Sequence, residues 1–187
     1  MYNLGMEKKM KLYHAGNVII EQPDVHYGRK NADFGQGFYT TPDEAFARRW
    51  AKDRKGETAY INVYEIDCTD LKVKVLERDE EWFRYIFQNR RLIRDTIDAD
   101  LIIGPVANDT IFDTFGIFTS GFLTDEEALA MLKEGPEYRQ AVLKSEKAAG
   151  ALVWLQADIL SQEEISANQK LLKEEEAAYL KAASRHM

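Results

Sequence analysis

The chain predicts an α+β protein whose strands are scattered between helices rather than strictly alternating with them. Three observations carry this. Thr41-Pro42-Asp43-Glu44 and Thr124-Asp125-Glu126-Glu127 each have the pattern of a helix start. Leu71, Val73 and Val75 alternate with Lys72 and Lys74, which is the period of a strand with one wet face. A long polar segment, punctuated by Gly28, Gly35 and Gly37, runs up to the aromatic pair Phe38-Tyr39.

In chain order, residues 11–14 read as a strand ending on His14 and a tight glycine turn at Gly16. Residues 17–36 read as loop, with a short strand over 18–21. Residues 38–40 form a short strand. Thr41 is the N-cap of the next helix, with Pro42 in its first turn and Glu44 completing a capping box. That helix is expected to reach about residue 53, with Ala45, Phe46 and Trp50 on its buried side. Residues 58–66 and 71–76 read as strands. Asp79-Glu80-Glu81 opens a helix to about residue 95, with Trp82, Tyr85, Ile86 and Leu92 inward. Residues 101–103 form a short buried strand, 110–118 a helix, and Thr124 opens another that Gly135 stops. Residues 140–144 are a late strand, and Ser145 caps the element after it. Beyond Ser161 lies a highly charged helix carrying Ile165, Leu172 and Tyr179 at intervals of seven. The expected division is a domain over 1–160 and a charged C-terminal helix over 161–187, docked back on the domain.

A length of 187 residues suits one domain with a helical appendage, and a 45% apolar content supports a real core. The net charge of −7 argues against broad, charge-driven binding to nucleic acid or anionic membrane. A local basic groove stays open, with Arg29-Lys30 and Arg90-Arg91 as its candidates. A single cysteine, Cys68, excludes a disulfide framework and a cysteine metal cluster, and fits a reducing cytoplasm. The three histidines have no metal-ligand spacing. No stretch has the length of a membrane span, and the first eleven residues lack a signal core. Cytoplasmic residence is expected; a protein delivered into another cell has the same composition.

The chemical content concentrates in residues 12–16 and 33–41. A histidine at a strand end, glycines that let backbone approach a ligand and a tyrosine able to cover a flat ring make a pocket for a nucleotide with an aromatic base. Each feature also has a structural reading. His14 could be a strand-end histidine bonded to backbone, Gly35 and Gly37 could be turn or bulge residues, and Tyr39 could be core.

Tyr13-His14-Ala15-Gly16 resembles the first-strand histidine motif of the diphtheria-toxin and poly(ADP-ribose)-polymerase class of ADP-ribosyltransferases, with Ala15 intruding before the glycine. Gly35-Gln36-Gly37-Phe38-Tyr39-Thr40 resembles the Gly-x-Gly-aromatic-Tyr segment of that class. More closely, Gly28-Arg29-Lys30-Asn31, Asp33-Phe34-Gly35, Gly37-Phe38-Tyr39 and Thr41 are similar to a bacterial family known as domain of unknown function 3990. Residues 103–109 also resemble a segment of it, and the resemblance spans about 11–148. It implies a split β-sheet core with peripheral helices, and NAD⁺ as co-substrate without a metal. It implies mono-ADP-ribosyl transfer by a bacterial toxin or effector acting on an intracellular macromolecule, with a neutralising partner protein. His14 would bond the adenosine-side ribose, the backbone of Ala15 or Gly16 would hold the nicotinamide amide, and Tyr39 would stack on the nicotinamide ring. Arg29 would meet a phosphate. Phe34, Gly35, Gly37, Phe38 and Asp109 complete the cofactor-binding set.

The late strand departs from the class. It opens with Gln140 where the class has a glutamate. A glutamine can bond a ribose hydroxyl but supplies no negative charge and no general base. Glu137, Glu146 and Asp109 are the carboxylates that could stand in. On this reading Gln140→Glu should raise NAD⁺ cleavage. The same departure supports a different class of function, a catalytically silent NAD⁺ or ADP-ribose-binding module. A third reading is a partner-binding protein working through its charged helix.

Overall fold

The computed structural model describes residues 8–183 apart from 53, 55, 94 and 108–136. The helices expected over 110–118 and from Thr124 to Gly135 therefore lie outside the described residues, as does Asp109. The described chain is α+β, built on two small sheets. The first has the order β1 (Lys9–Gly16), β3 (Tyr60–Asp67), β7 (Leu152–Ile159), all antiparallel. The second has the order β2 (Phe38–Thr40), β6 (Arg139–Leu143), β5 (Leu101–Pro105), β4 (Val73–Val75), with β4 and β5 parallel. Among the described residues one backbone pair joins them: Tyr13 N–H donates to the Thr41 carbonyl at 2.8 Å and Thr41 N–H to the Tyr13 carbonyl at 2.9 Å.

Strand alternation sorts the core into layers. Ile102 and Val142 pack with Phe34, Trp82 and Ile86 under helix α2 (Glu80–Arg90). Leu101, Ile103, Ala141 and Leu143 face the other way, onto Met10, Leu12, Tyr64 and Ile66 of the first sheet. The odd-numbered Ile61 and Val63 then meet Ala47 of α1 (Glu44–Trp50) and Ile165 of the last helix. The second sheet is thus covered on both faces, and its middle strands read as continuous apolar runs.

The helix starts differ in detail from the sequence pattern. Asp43, not Thr41, caps α1 by accepting from Phe46 N–H at 3.0 Å; Thr41 Oγ1 instead accepts from Asp43 N–H and donates to the Arg139 carbonyl. The buried residues of α1 are Phe46, as expected, and Ala47, whereas Ala45 and Trp50 are exposed. α2 has its cap at Asp79 but stops at Arg90. Leu92 adopts φ 57° and is exposed, so it ends the helix rather than packing beneath it. Val73 is also exposed, because β4 is an edge strand. Residues 18–21 form no strand. Asn62 holds them instead, donating to the Val18 carbonyl and accepting from Ile20 N–H, and the Tyr64 hydroxyl donates to the Ile20 carbonyl. Ser145 caps α3 (Glu146–Gly150) as its sequence indicates. β7 has no counterpart in the sequence reading.

The two glycines before β2 serve the chain's own packing. Gly35 has φ +71°, where a side chain is strained. A Cβ on Gly37 would stand 2.6 Å from the Leu143 carbonyl oxygen, so Gly37 is what lets the loop lie against β6.

Helix α4 (Gln162–Ala183) lies along α1. Ile165 is 1% exposed. Arg48 pairs with Glu164 at 3.1 Å and Arg49 with Glu175 at 2.6 Å, and Asn168 Nδ2 donates to the Arg48 carbonyl at 3.2 Å. No helix among the described residues is long and apolar enough to cross a membrane. Ile165→Ala should cost about 2–5 kcal/mol, the range for truncating a buried isoleucine. Chemical denaturation measures it; a loss near zero would mean that α4 does not rest on this contact.

Candidate functional site

The cleft begins where the two sheets part. In an antiparallel ladder, the hydrogen-bonded pair after Tyr13–Thr41 would join Ala15 to Tyr39. That pair is not made. The Tyr39 carbonyl accepts instead from His14 Nδ1 at 2.7 Å. A side chain has taken the place of a ladder bond, and β1 and β2 splay beyond it. Alternation along β1 sends the N–H and C=O of Ala15 away from β3, into the gap. An amide donor and an amide acceptor therefore face the opening side by side.

The bond also fixes the histidine. A carbonyl only accepts, so Nδ1 carries the proton and the neutral ring offers Nε2 as an acceptor. Burial holds His14 below its ordinary pKa, only partly offset by the Tyr39 bond. The ring lies against Phe38, centroids 4.7 Å apart.

Two adjoining lobes open from this point. The first, of about 220 Å³, is largely apolar and is lined by His14 and Ala15 of β1, Phe46 and Trp50 of α1, Tyr39 and Gln140. The second, of about 510 Å³, carries Arg29, Asn31, Asp33 and Arg90. Tyr39, Trp50, Val106 and Gln140 line both. The second lobe has the size of a small-ligand pocket, and the first extends it. Tyr39 is held by its hydroxyl, which donates to the Gly35 carbonyl at 2.7 Å and accepts from Phe34 N–H at 2.9 Å. Burial pushes that hydroxyl well above the ordinary phenol pKa.

β6 opens with Arg139 rather than with Gln140, which is its second residue and is 7% exposed. Its Nε2 donates to Asp33 Oδ2 and to the Pro105 carbonyl, each at 3.3 Å. Asp33 also accepts from Arg90 Nε at 2.6 Å and from Ala107 N–H at 3.2 Å. Burial pushes the Asp33 carboxyl up; Arg90, Ala107 and Gln140 act the other way and offset it only in part.

The structure thus brings His14, Ala15, Tyr39, Gln140 and Arg29 to one cleft. Gly16 closes β1 opposite Tyr60. Phe34 and Phe38 are core residues at 0% and 7% exposure, and Gly35 and Gly37 pack against the protein, so these four stand behind the wall rather than in contact with a ligand. Of the candidates for a basic groove, Arg29 and Arg90 line the second lobe, Arg90 paired with Asp33, and the Arg91 guanidinium sits 4.1 Å from the centroid of the Phe87 ring. Glu137 pairs with Arg139 and Glu146 with His26, away from the lobes. Sequence reasoning singles out neither Asp33 nor Trp50 as a site side chain. The signal for Asp33 is a lone charge between Ala32 and a core phenylalanine. Trp50, four residues after Phe46, reads as part of the buried helix face, and the structure leaves it exposed at the cleft.

Asp33 changes the expectation for Gln140→Glu. A carboxylate at 140 would lie against the Asp33 carboxylate and lose the bond to the Pro105 carbonyl, so it would be driven toward its neutral form. Gln140→Glu should therefore destabilise by about 1–3 kcal/mol at a pH of about 8. Its folded pKa is raised above the unfolded value of about 4.3, so the cost fades as pH falls toward that value. Melting at several pH values tests this, and a pH-independent difference would contradict it. The sign for His14 is opposite. The unfolded chain takes up a proton near its ordinary pKa of 6.5 and the folded chain only lower, so wild type loses stability as pH drops through that window. His14→Gln should remove this loss, read as a gap in denaturation midpoint that narrows between pH of about 7.5 and about 5.5.

The family model described as Protein of unknown function (DUF3990) matches residues 10–154. No curated protein matches the chain. The match covers most of the sequence, from β1 to the first part of β7, and the chain belongs to the DUF3990 family.

Proposed function

We propose that this cleft binds NAD⁺ and that the protein is an ADP-ribosyltransferase-like enzyme transferring single ADP-ribose units. The observation that carries the reading is the Ala15 backbone pair beside Tyr39. A carboxamide on a flat ring needs one donor, one acceptor and an aromatic face, and those three lie together where β1 and β2 part. His14 Nε2 is an acceptor for a ribose hydroxyl. Arg29 on the second lobe suits a phosphate. Departure of nicotinamide breaks the glycosidic bond and leaves positive charge on the ribose, so positioning and electrostatics would carry most of the rate. The resemblance adds that the acceptor is an intracellular macromolecule and that the protein acts as a toxin or effector restrained by a partner.

A second reading has its own support. Among the described lining residues, Asp33 is the single carboxylate, and it is neutralised by Arg90. A cleft without free negative charge suits an NAD⁺ or ADP-ribose-binding module that does not turn over.

Labelled NAD⁺ incubated with the protein and a cell lysate separates the two. Transferred label with free nicotinamide supports the enzyme, saturable binding without release supports the module, and the absence of both overturns both. Tyr39→Ala should weaken NAD⁺ binding by about 1–3 kcal/mol in calorimetry. Tyr39→Phe should weaken it less, although losing the bonds to Phe34 and Gly35 lowers stability. Equal affinity for wild type and Tyr39→Ala would make Tyr39 an ordinary wall residue.

A further inference from the structure

We propose that Asp33 is a positioning residue, which fixes the Gln140 side-chain amide so that its oxygen, not its nitrogen, is offered to the cleft. An amide can flip, exchanging a donor for an acceptor in almost the same space. Here both Nε2 hydrogens are used, one by Asp33 Oδ2 and one by the Pro105 carbonyl. Both partners only accept, so the flipped amide would set its oxygen against two oxygens. Among the described residues Oε1 has no partner of its own, and Gln140 lines both lobes.

The partners are themselves fixed. Arg90 holds Asp33 Oδ1, Ala107 N–H holds Oδ2, and Asn89 Nδ2 donates to the Asp33 carbonyl at 3.2 Å. Trp82 Nε1 donates to the same Pro105 carbonyl at 2.9 Å. Two neighbours on α2, Asn89 and Arg90, therefore set one carboxylate, and that carboxylate sets the polarity of one side chain on β6. A ligand meeting Gln140 must bring a hydroxyl or amine hydrogen. Naming a ribose hydroxyl as that donor rests on the NAD⁺ reading; the amide orientation does not.

Nuclear magnetic resonance of the ¹⁵N-labelled chain tests the orientation directly. The Gln140 side-chain pair is identified by its loss in Gln140→Ala. In wild type it should exchange with solvent at least about tenfold more slowly than a free amide. Exchange at the free rate overturns the proposal; where Gln140→Ala does not fold, doubly labelled wild type (¹³C and ¹⁵N) links the pair to the Gln140 backbone and keeps the reading. In Asp33→Asn, with the backbone spectrum retained, that protection should be lost; unchanged protection also overturns it. The functional arm uses NAD⁺ itself. Asp33→Asn and Gln140→Ala should each weaken binding about tenfold, the scale of one hydrogen bond, and the double variant should be no weaker than either. Multiplying effects would mean that Asp33 acts independently of Gln140, which overturns the positioning role. If wild type binds no NAD⁺, the proposed function fails, and the amide exchange still decides this inference.

Discussion

One missing ladder bond organises the molecule. Tyr13 and Thr41 make the last backbone pair between the two sheets, and His14 then bonds Tyr39 in place of the next. A continuous ladder would have closed β1 onto β2 and left no cleft. A splay without His14 would have left the Tyr39 carbonyl without a partner at the seam, a costly state for a backbone acceptor. The histidine stabilises the open form and, in doing so, fixes its own tautomer. The strand geometry then turns the Ala15 amide groups outward. Structural and functional readings of His14 are therefore not alternatives: the backbone bond that anchors one nitrogen is what leaves the other as a defined acceptor.

The electrostatics of the cleft centre on a single buried ion pair. Asp33 and Arg90 come from a loop and a helix 57 residues apart, and both side chains are close to nine-tenths covered. Such a pair adds little net stability by itself, because desolvation offsets attraction. Removing one partner is a different matter, since it strands a buried charge. The geometry does more than balance charge. Asp33 accepts from three separate groups, and each of them belongs to a residue that lines the cleft. Its charge is spent on protein donors, which makes the second lobe polar without making it acidic.

Much of the framework is legible in the sequence because local rules decide it. The short strand at Phe38–Thr40, the Asp79 start of α2 and the Ser145 cap follow from patterns a few residues long. Where sequence and structure differ, the common cause is competition from distant partners. Thr41 has the composition of a cap, but its hydroxyl serves β6 across 98 residues, so the cap passes to Asp43. Trp50, expected on the buried side of α1, is exposed and lines the cleft. β7 is hard to read because its exposed Val153 and Leu155 alternate poorly beside a bulge opposite Val63 and Tyr64. At the site, His14, Tyr39 and Gln140 are visible as residue types, although β1 runs two residues past His14, Tyr39 is the middle of β2 and Gln140 is the second residue of β6. Asp33 is not, because its meaning depends on Arg90, Ala107 and Gln140, and none of those is near it in sequence.

The last helix shows how residues beyond the family match support the cleft without lining it. The match ends at residue 154, and α4 begins at Gln162. Yet α4 is the surface on which α1 rests, and α1 supplies Phe46 and Trp50 to the first lobe. The ion pairs between them are partly exposed, so each is worth at most about 1 kcal/mol. Ile165, buried among Ala47, Ala51 and Ile61, provides the larger share of the attachment. The charged contacts act on direction instead. Glu175 binds both Arg49 and the Tyr138 hydroxyl, and Tyr138 stacks on Phe46 at 4.3 Å. One carboxylate of α4 thus ties the helix bearing the aromatic wall to the strand segment that leads into Gln140. The seam at β1 and β2 shapes the cleft from within the family's own stretch, and α4 supports α1, which lines it, from outside that stretch.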